Sequence, residues 1–274
     1  MSWEIVITGC GTSHGNPPWG RPQHWSTDPR DRRRRSGAML FGPDGAVVLI
    51  DAGPDLAHQL RDPDLTWDGA TYPAACVTRV DAVLLTHDHA DHSHGLNDLR
   101  HINRLMGQRS IPIHGERDHL ESLGAMFPYC FGFGEQAHQG YRPTLRQVAL
   151  VDDETVDIAG LPVTPFAMSH GPAGRTTGFR CGGLGYLTDL KELPAAADAH
   201  LQGLDLLVLD MLREAPHETH LCWAEALAII SRLRPRRTVL THMGHEVRYA
   251  EWESRLPADV TMAHDGLRLP FAAR

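Results

Sequence analysis

The stretch Thr86-His87-Asp88-His89-Ala90-Asp91-His92 decides how this chain is read. It sets three histidines and two aspartates within seven residues. The apolar run Asp81-Ala82-Val83-Leu84-Leu85 precedes it and reads as a buried strand. A strand that delivers H-x-H-x-D-H into the loop at its C-terminal end has the pattern of a metal site. Imidazole nitrogens and carboxylate oxygens suit Zn, Mn or Fe, and ligands this dense let one loop serve two adjacent ions.

Outward from the heptad, the chain alternates strands and helices. Strands are expected at Trp3–Thr8, Ala38–Phe41 and Ala46–Asp51, with a turn at Gly42-Pro43-Asp44-Gly45. Pro54–Arg61 reads as a short helix. Gly95–Met106 reads as a helix with Leu96, Leu99, Ile102, Asn103 and Met106 on one face. Ile111–His114 is a strand and His119–Met126 a helix. The second half repeats the alternation, with strands at Thr155–Ile158, Leu161–Met168, Gly178–Arg180, Gly185–Thr188 and Leu204–Leu209. It continues through a helix at Trp223–Leu233, a strand at Thr238–Thr241, a helix at Arg248–Arg255, and strands at Val260–Ala263 and Leu267–Pro270. Each half runs strands first and strand–helix units after, which predicts an α/β fold, a four-layer αββα sandwich with helices outside two sheets. No linker-like composition divides residues 1–274, so one domain is expected.

Composition narrows the class. The 18 histidines agree with metal chemistry, and the net charge of −8 argues against broad nucleic-acid binding. Cys10, Cys76, Cys130, Cys181 and Cys222 are odd in number and scattered, which suits reduced thiols in the cytoplasm better than a disulfide framework. The N-terminus lacks a basic segment followed by a long apolar one, so no signal peptide is expected. No apolar run approaches the ~18 residues a membrane helix needs.

Three later segments place one ligand-type residue just past an apolar run: His170 after Val163–Met168, Asp189 after Leu184–Leu187, and His242 after Thr238–Leu240. Singly, such a residue is usually structural. In order after the heptad, the three complete a ligand set.

With these residues assembled, the chain resembles the metallo-β-lactamase-fold hydrolases over nearly its whole length. The resemblance implies that His87, His89 and His170 hold one divalent ion, that Asp91, His92 and His242 hold a second, and that Asp189 bridges them. The bridging aspartate aligns the chain with the phosphodiesterase, tRNase Z and glyoxalase II branches rather than with true β-lactamases, and the flavodiiron branch looks different at the second histidine of the motif, here His89. The resemblance also implies that Asp51, in Ile50-Asp51-Ala52-Gly53, orders the site without binding metal. Two ions ~3.5–4 Å apart acidify a bridging water and clamp both oxygens of an in-line displacement, with Asp91 orienting the attacking hydroxide.

A narrower likeness rests on Gly9-Cys10-Gly11-Thr12-Ser13-His14-Gly15-Asn16-Pro17, on Thr219-His220-Leu221-Cys222, on Val239-Leu240-Thr241-His242-Met243-Gly244-His245, and on His264-Asp265-Gly266. These resemble the phosphoribosyl cyclic phosphodiesterases of the carbon–phosphorus lyase pathway. By that match His220 is the general acid, with His217 as fallback; the alternative for His220 is capping the Trp223–Leu233 helix. An imidazolium that protonates a sugar alkoxide contributes typically about 10²–10⁴-fold. The family's cysteine-rich zinc loop is absent: Arg21-Pro22-Gln23-His24-Trp25-Ser26-Thr27-Asp28 has no cysteine. His245, at the position that helps hold that zinc in the family, is thereby freed either to support the ligands from behind or to contact substrate.

Arg30, Arg32, Arg33, Arg34 and Arg35 read either as an electropositive patch that draws in a phosphorylated substrate, with Arg35 contacting it, or as a solvated loop. Arg100 is a further phosphate candidate, and Tyr129, Phe131 and Phe133 are candidates for a pocket wall or for core. The expected activity is hydrolysis of a small cyclic or sugar phosphodiester. The alternatives are an ester, thioester or lactone hydrolase of the same fold, and a tRNase Z-like nuclease, which would need a basic RNA-gripping arm. Expected partners are a small phosphorylated substrate and a second copy of the chain as a homodimer, with neither membrane nor nucleic acid.

Overall fold

The computed structural model describes residues 2–20, 26–61, 77–131 and 142–273. The first sheet takes β1 (Ser2–Gly9), β2 (Gly37–Phe41), β3 (Val47–Ile50), β4 (Ala82–Leu84), β5 (Ile111–Gly115) and β6 (Leu145–Ala149). The second takes β7 (Val156–Ile158), β8 (Leu161–Ser169), β9 (Arg175–Cys181), β10 (Leu184–Leu187), β11 (Leu206–Asp210), β12 (Thr238–Thr241) and β13 (Val260–Met262). The last strand, β14 (Arg268–Ala272), returns to pair with β1, so each sheet has seven strands.

Alternation along the first sheet sorts side chains into two cores. Val48 and Ile50 of β3 and Ala82 and Leu84 of β4 face the second sheet, where they meet Phe166, Phe179, Tyr186 and Leu209. Their neighbours Val47, Leu49, Val83 and Leu85 face outward. There they pack under α1 (Leu56–Gln59), under α3 (Leu99–Leu105), and under α4 (Arg117–Met126), which follows the short α2 (Ala90–Ser93) in chain order by way of α3. This is the period-two division that a sheet covered on both faces requires. On the far side, α5 (Trp223–Leu233) buries Ala226, Ile229, Ile230 and Leu233 and α6 (Tyr249–Trp252) buries Tyr249 and Trp252 against the second sheet. The result is the four-layer αββα order.

Both sheets change from antiparallel to parallel pairing part-way across, at β3–β4 and at β10–β11. Strands β3, β4, β10, β11 and β12 therefore end on one rim, as does β8, which runs antiparallel to β9 and so along β10. Loops that follow these strands share that rim, which is where ligands bind in sheets of this kind.

Several elements differ from expectation. The Gly95–Met106 helix opens with a 3₁₀ turn, Leu96–Asp98, and Arg248–Arg255 is α6 followed by another, Glu253–Arg255. Strand β9 begins earlier than Gly178, because the β-branched Thr176 and Thr177 are buried within it. Strand β6 was not expected; it is an edge strand whose Arg146, Gln147 and Ala149 are exposed or part-exposed, so it shows no clean alternation. Cys10, Cys130, Cys181 and Cys222 are free and buried. Cys76, Phe133 and residues 21–25 of the cysteine-free loop lie outside the described residues. Among those described, no helix is long and apolar enough to cross a membrane.

Candidate active site

The rim loops converge on Asp189. Its Oδ1 lies 3.9 Å from His87 Nε2, 3.7 Å from His170 Nε2 and 3.5 Å from His242 Nε2, and its Oδ2 lies 3.1 Å from His92 Nε2. Asp91 Oδ2 lies 3.4 Å from His92 Nε2 and 3.8 Å from His242 Nε2. His87, His89 and His170 form one group of mutually close ligand atoms; Asp91, His92, Asp189 and His242 form another. All seven residues expected to hold metal are thus brought together.

The backbone makes an unusual effort to do this. Asp51, Asp189 and His242 each follow a strand and each has a left-handed φ, of 65°, 53° and 58°. For residues other than glycine this costs about 1–3 kcal/mol apiece, a strain typical of functional sites. The loops also touch: a Cβ at Gly53 would overlap the Asp91 carbonyl oxygen, so only glycine lets the β3 loop meet the metal loop.

Hydrogen bonds behind the histidines set their tautomers. Asp51 accepts from Thr86 N at 2.8 Å and from Thr86 Oγ1 at 2.9 Å and 3.0 Å. With its proton so committed, Thr86 Oγ1 accepts from His87 Nδ1 at 3.0 Å. His92 Nδ1 donates to Asp51 at 2.7 Å, and His170 Nδ1 donates to the Thr219 carbonyl at 2.7 Å. In each ring the Nδ1 proton faces the protein and Nε2 faces the centre. The structural part expected of Asp51 is visible here. Two threonines of β9 complete the frame: Thr177 N donates to Thr86 O at 2.8 Å and Thr176 Oγ1 donates to Asp189 O at 3.1 Å.

These residues fit divalent cations. His87 Nε2, His92 Nε2 and His242 Nε2 are buried with no hydrogen-bond partner. A carboxylate ringed by imidazole nitrogens is repulsive unless positive charge lies among them. The electrostatics agree. Burial works against charge on His92 and His242, yet Asp189 and Asp51 push His92 up, and Asp189, Asp91 and Asp210 push His242 up to about 9. Burial also opposes the Asp189 anion, but His242 and His92 hold its carboxyl well below the usual range. On His87 burial dominates and the pKa falls. A bound cation replaces such protons.

His220 lies beside this centre. Its Nε2 is 4.0 Å from Asp189 Oδ1, and its ring stacks on His242 with centroids 4.5 Å apart. It does not cap α5; Cys222 does, with Cys222 N donating to Glu225 at 2.8 Å. Its Nδ1 donates to Asp210 Oδ2 at 3.0 Å, and that oxygen also accepts from Leu190 N at 3.0 Å. Asp210 was missed from sequence. It carries the signature of the other site residues, an acid just past the apolar run Leu206–Leu209, and is fully buried with Oδ1 4.0 Å from His242 Nδ1. His220 also groups with His170 and Asp189, and with Asp210 and His242, as possible ligand sets. Both sets share residues with the two clusters above, and Asp210 Oδ2 already takes the His220 Nδ1 proton.

The other sequence candidates are not gathered. Arg33, expected in a patch or a solvated loop, is buried: it pairs with Asp31 at 2.8 Å and donates to the carbonyls of Gly244 at 3.1 Å and Val247 at 2.6 Å. Arg30 pairs with Asp28 and lies over Tyr249, and the Arg35 guanidinium is taken by Asp55 and the Ser13 carbonyl. Of the run, Arg33 is claimed by a buried acid and two carbonyls, while Arg30 and Arg35 pair with the part-exposed Asp28 and Asp55. Arg100 is exposed on α3, in a cleft with Ala57, Leu60 and Asn97 that contains none of the seven ligand candidates. His245 is half-buried, three residues past His242. Tyr129 is exposed, with Arg142 over its ring, and Phe131 packs against the outer core.

Comparison with known proteins identifies the family and the fold. The model of the beta-lactamase superfamily domain matches residues 47–243. The crystal structure of a diphosphatase from the PhnP family shares 32% sequence identity, covers 99% of this chain and 98% of its own, and superposes with a TM-score of 0.84. The chain belongs to the beta-lactamase superfamily and, within it, to the PhnP family. As a PhnP-family member it is a hydrolase of the metallo-β-lactamase fold with a metal-binding cluster. The Zn²⁺-bound PqqB of Methylobacterium extorquens shares the fold at 22% identity and a TM-score of 0.72, with 97% of this chain and 99% of that one covered. An octanoyltransferase of Porphyromonas gingivalis is 30% identical over 96% of this chain. The chain spans about half (51%) of that curated relative's length.

Proposed function

We propose that this PhnP-family hydrolase cleaves a small cyclic or sugar phosphodiester, such as phosphoribosyl 1,2-cyclic phosphate, with two divalent ions and with His220 as general acid. His87, His89 and His170 would hold one ion; Asp91, His92 and His242 would hold the other; Asp189 would be shared. Zn or Mn suits this donor set, and Fe is compatible with it. When bound, the pair supplies an acidified water and positive charge for the phosphate oxygens.

The observation that carries the reading is the Asp210–His220 pair aimed at Asp189. A phosphodiester expels an alkoxide, which needs a proton as it leaves; a thioester expels a much less basic thiolate, which needs none. His220 Nε2 would deliver that proton; in support, Asp210 holds Nδ1–H on the other side of the ring and would offset the charge when both nitrogens are protonated. Asp91, the most exposed carboxylate of the cluster, would orient the attacking water.

One observation favours a second reading. The relative that aligns over 96% of the chain is named an octanoyltransferase, which points to an acyl ester or thioester substrate on the same ions. A panel separates the two: ribose cyclic phosphate, bis-nitrophenyl phosphate, an octanoyl thioester and a lactone, each with Zn and with Mn. The phosphodiester reading expects turnover of the ribose cyclic phosphate to exceed that of the acyl substrates. Faster thioester hydrolysis would reverse the choice.

A further inference from the structure

His217, three residues before His220, is left without a role by the chemistry above. Its surroundings are built. The loop from Met211 to Leu221 is closed by Leu212 N donating to Leu221 O at 3.0 Å and by Trp223 N donating to Arg213 O at 3.0 Å. Inside it, the Arg213 guanidinium donates to the carbonyls of Ala215 at 3.3 Å and Pro216 at 3.0 Å. Outside it, Glu214 pairs with Arg255. Its tip presses on the His170 loop: Gly171 has φ 63°, and a Cβ there would overlap the Glu218 carbonyl oxygen.

On this rigid loop the two histidines carry their protons on opposite nitrogens. The Thr219 backbone N–H donates to His217 Nδ1 at 3.3 Å, and a backbone amide can only donate. Thr219 Oγ1 lies 3.1 Å from the same nitrogen. His217 Nδ1 is therefore an acceptor and its proton resides on Nε2. In His220 the arrangement is reversed, since Asp210 requires a proton on Nδ1. The rings are 5.5 Å apart. His217 is part-exposed, and its Nε2 has no partner among the described residues.

We propose that His217 is a substrate-binding residue, a neutral imidazole whose Nε2–H is held as a fixed donor for an oxygen on the leaving group beside His220. Such an oxygen is a non-bridging oxygen of a second phosphate or a vicinal sugar hydroxyl, two or three bonds from the scissile oxygen. His220 moves the proton and His217 reads what receives it. A second acid is the wrong role for His217: protonating Nδ1 would set two donors face to face, and burial, with His220 and Arg213 nearby, already lowers its pKa. This inference rests on the phosphodiester reading.

The test compares wild type, His217→Ala and His217→Gln on ribose 1,2-cyclic phosphate and on bis-nitrophenyl phosphate. The latter's para-nitro oxygens lie across a ring from the leaving oxygen. The kcat/KM ratio of the sugar to the nitrophenyl substrate should fall about tenfold in His217→Ala, the scale of one lost hydrogen bond to a bound ligand. His217→Gln, which keeps a donor near the Nε2 position, should recover most of it. The pH profile of kcat should keep its shape in both. A parallel loss on both substrates, an unchanged ratio, or a vanished basic limb would overturn the proposal; the last would make His217 the acid. Wild type inactive on both phosphodiesters would instead remove the parent reading, and this one with it.

Discussion

Asp210→Asn tests the division between metal centre and general acid. The carboxylate Oδ2 accepts from His220 Nδ1 at 3.0 Å, Leu190 N at 3.0 Å and Leu221 N at 3.4 Å, and the residue is fully buried. The amide keeps the shape, and its oxygen can keep the two backbone donors, so the loop should hold. What goes is the charge opposite the His220 ring. A charge-assisted hydrogen bond of about 3 kcal/mol becomes a neutral one of about 1 kcal/mol, a loss of about 2 kcal/mol or about thirtyfold in rate. The loss belongs to leaving groups that need a proton. Kcat should therefore fall about thirtyfold on alkyl phosphodiesters and about threefold or less on nitrophenyl ones, a gap that follows from the acid's share of catalysis. The assay is kcat across leaving groups of graded basicity, with bound ions counted on the same preparations. A uniform loss across the series with ions retained would refute the reasoning, as would no loss. Loss of ions would show that Asp210 acts through His242, 4.0 Å from its other oxygen.

Three further outcomes are expected. His87→Ala and Asp189→Ala should each lose bound ion and activity together; full occupancy by metal analysis in both would sink the ligand assignment. Asp265, buried and raised to about 7 by that burial, accepts from Cys10 N and Arg34 N. An acid with a raised folded pKa holds its proton more tightly folded than unfolded. Its contribution to stability is thus full at low pH and declines as pH rises from about 4 to about 7, by up to about 4 kcal/mol. Urea unfolding at pH 5 and pH 8 should show Asp265→Asn with a smaller decline than wild type, and equal declines would contradict the assignment. Arg33→Met leaves the buried Asp31 carboxylate uncompensated and should cost about 3–5 kcal/mol. A loss under about 1 kcal/mol in denaturant unfolding would return Arg33 to the surface role first read for it.

Much of the centre was legible because its signal is local. Each ligand sits directly after an apolar strand, and strand period and strand end are properties of a few consecutive residues. The heptad, His170, Asp189 and His242 could be named on that basis. Asp210 has the same signature and was passed over, because an acid after an apolar run is usually structural. What distinguishes it is a neighbour: β11 lies between β10 and β12, which sets Asp210 between His220 and His242. Arg33 was misread for a related reason. The charge pattern around it is local, but the Gly244 carbonyl that takes Arg33 is 211 residues away.

The sequence by itself determined the two-sheet order, the rim on which the chemistry sits and the donor set that suits divalent ions. Each of these follows from hydrophobic period and from the residue type at a strand's end. Only the tertiary structure decided which nitrogen of His87, His92 and His170 faces the centre, that Asp210 stands behind His220, and that His217 accepts at Nδ1. A ring's proton is assigned by the group packed behind it. Asp51, Thr219 O and Asp210 reach their rings from other strands and loops, and that adjacency exists only once the sheets have formed.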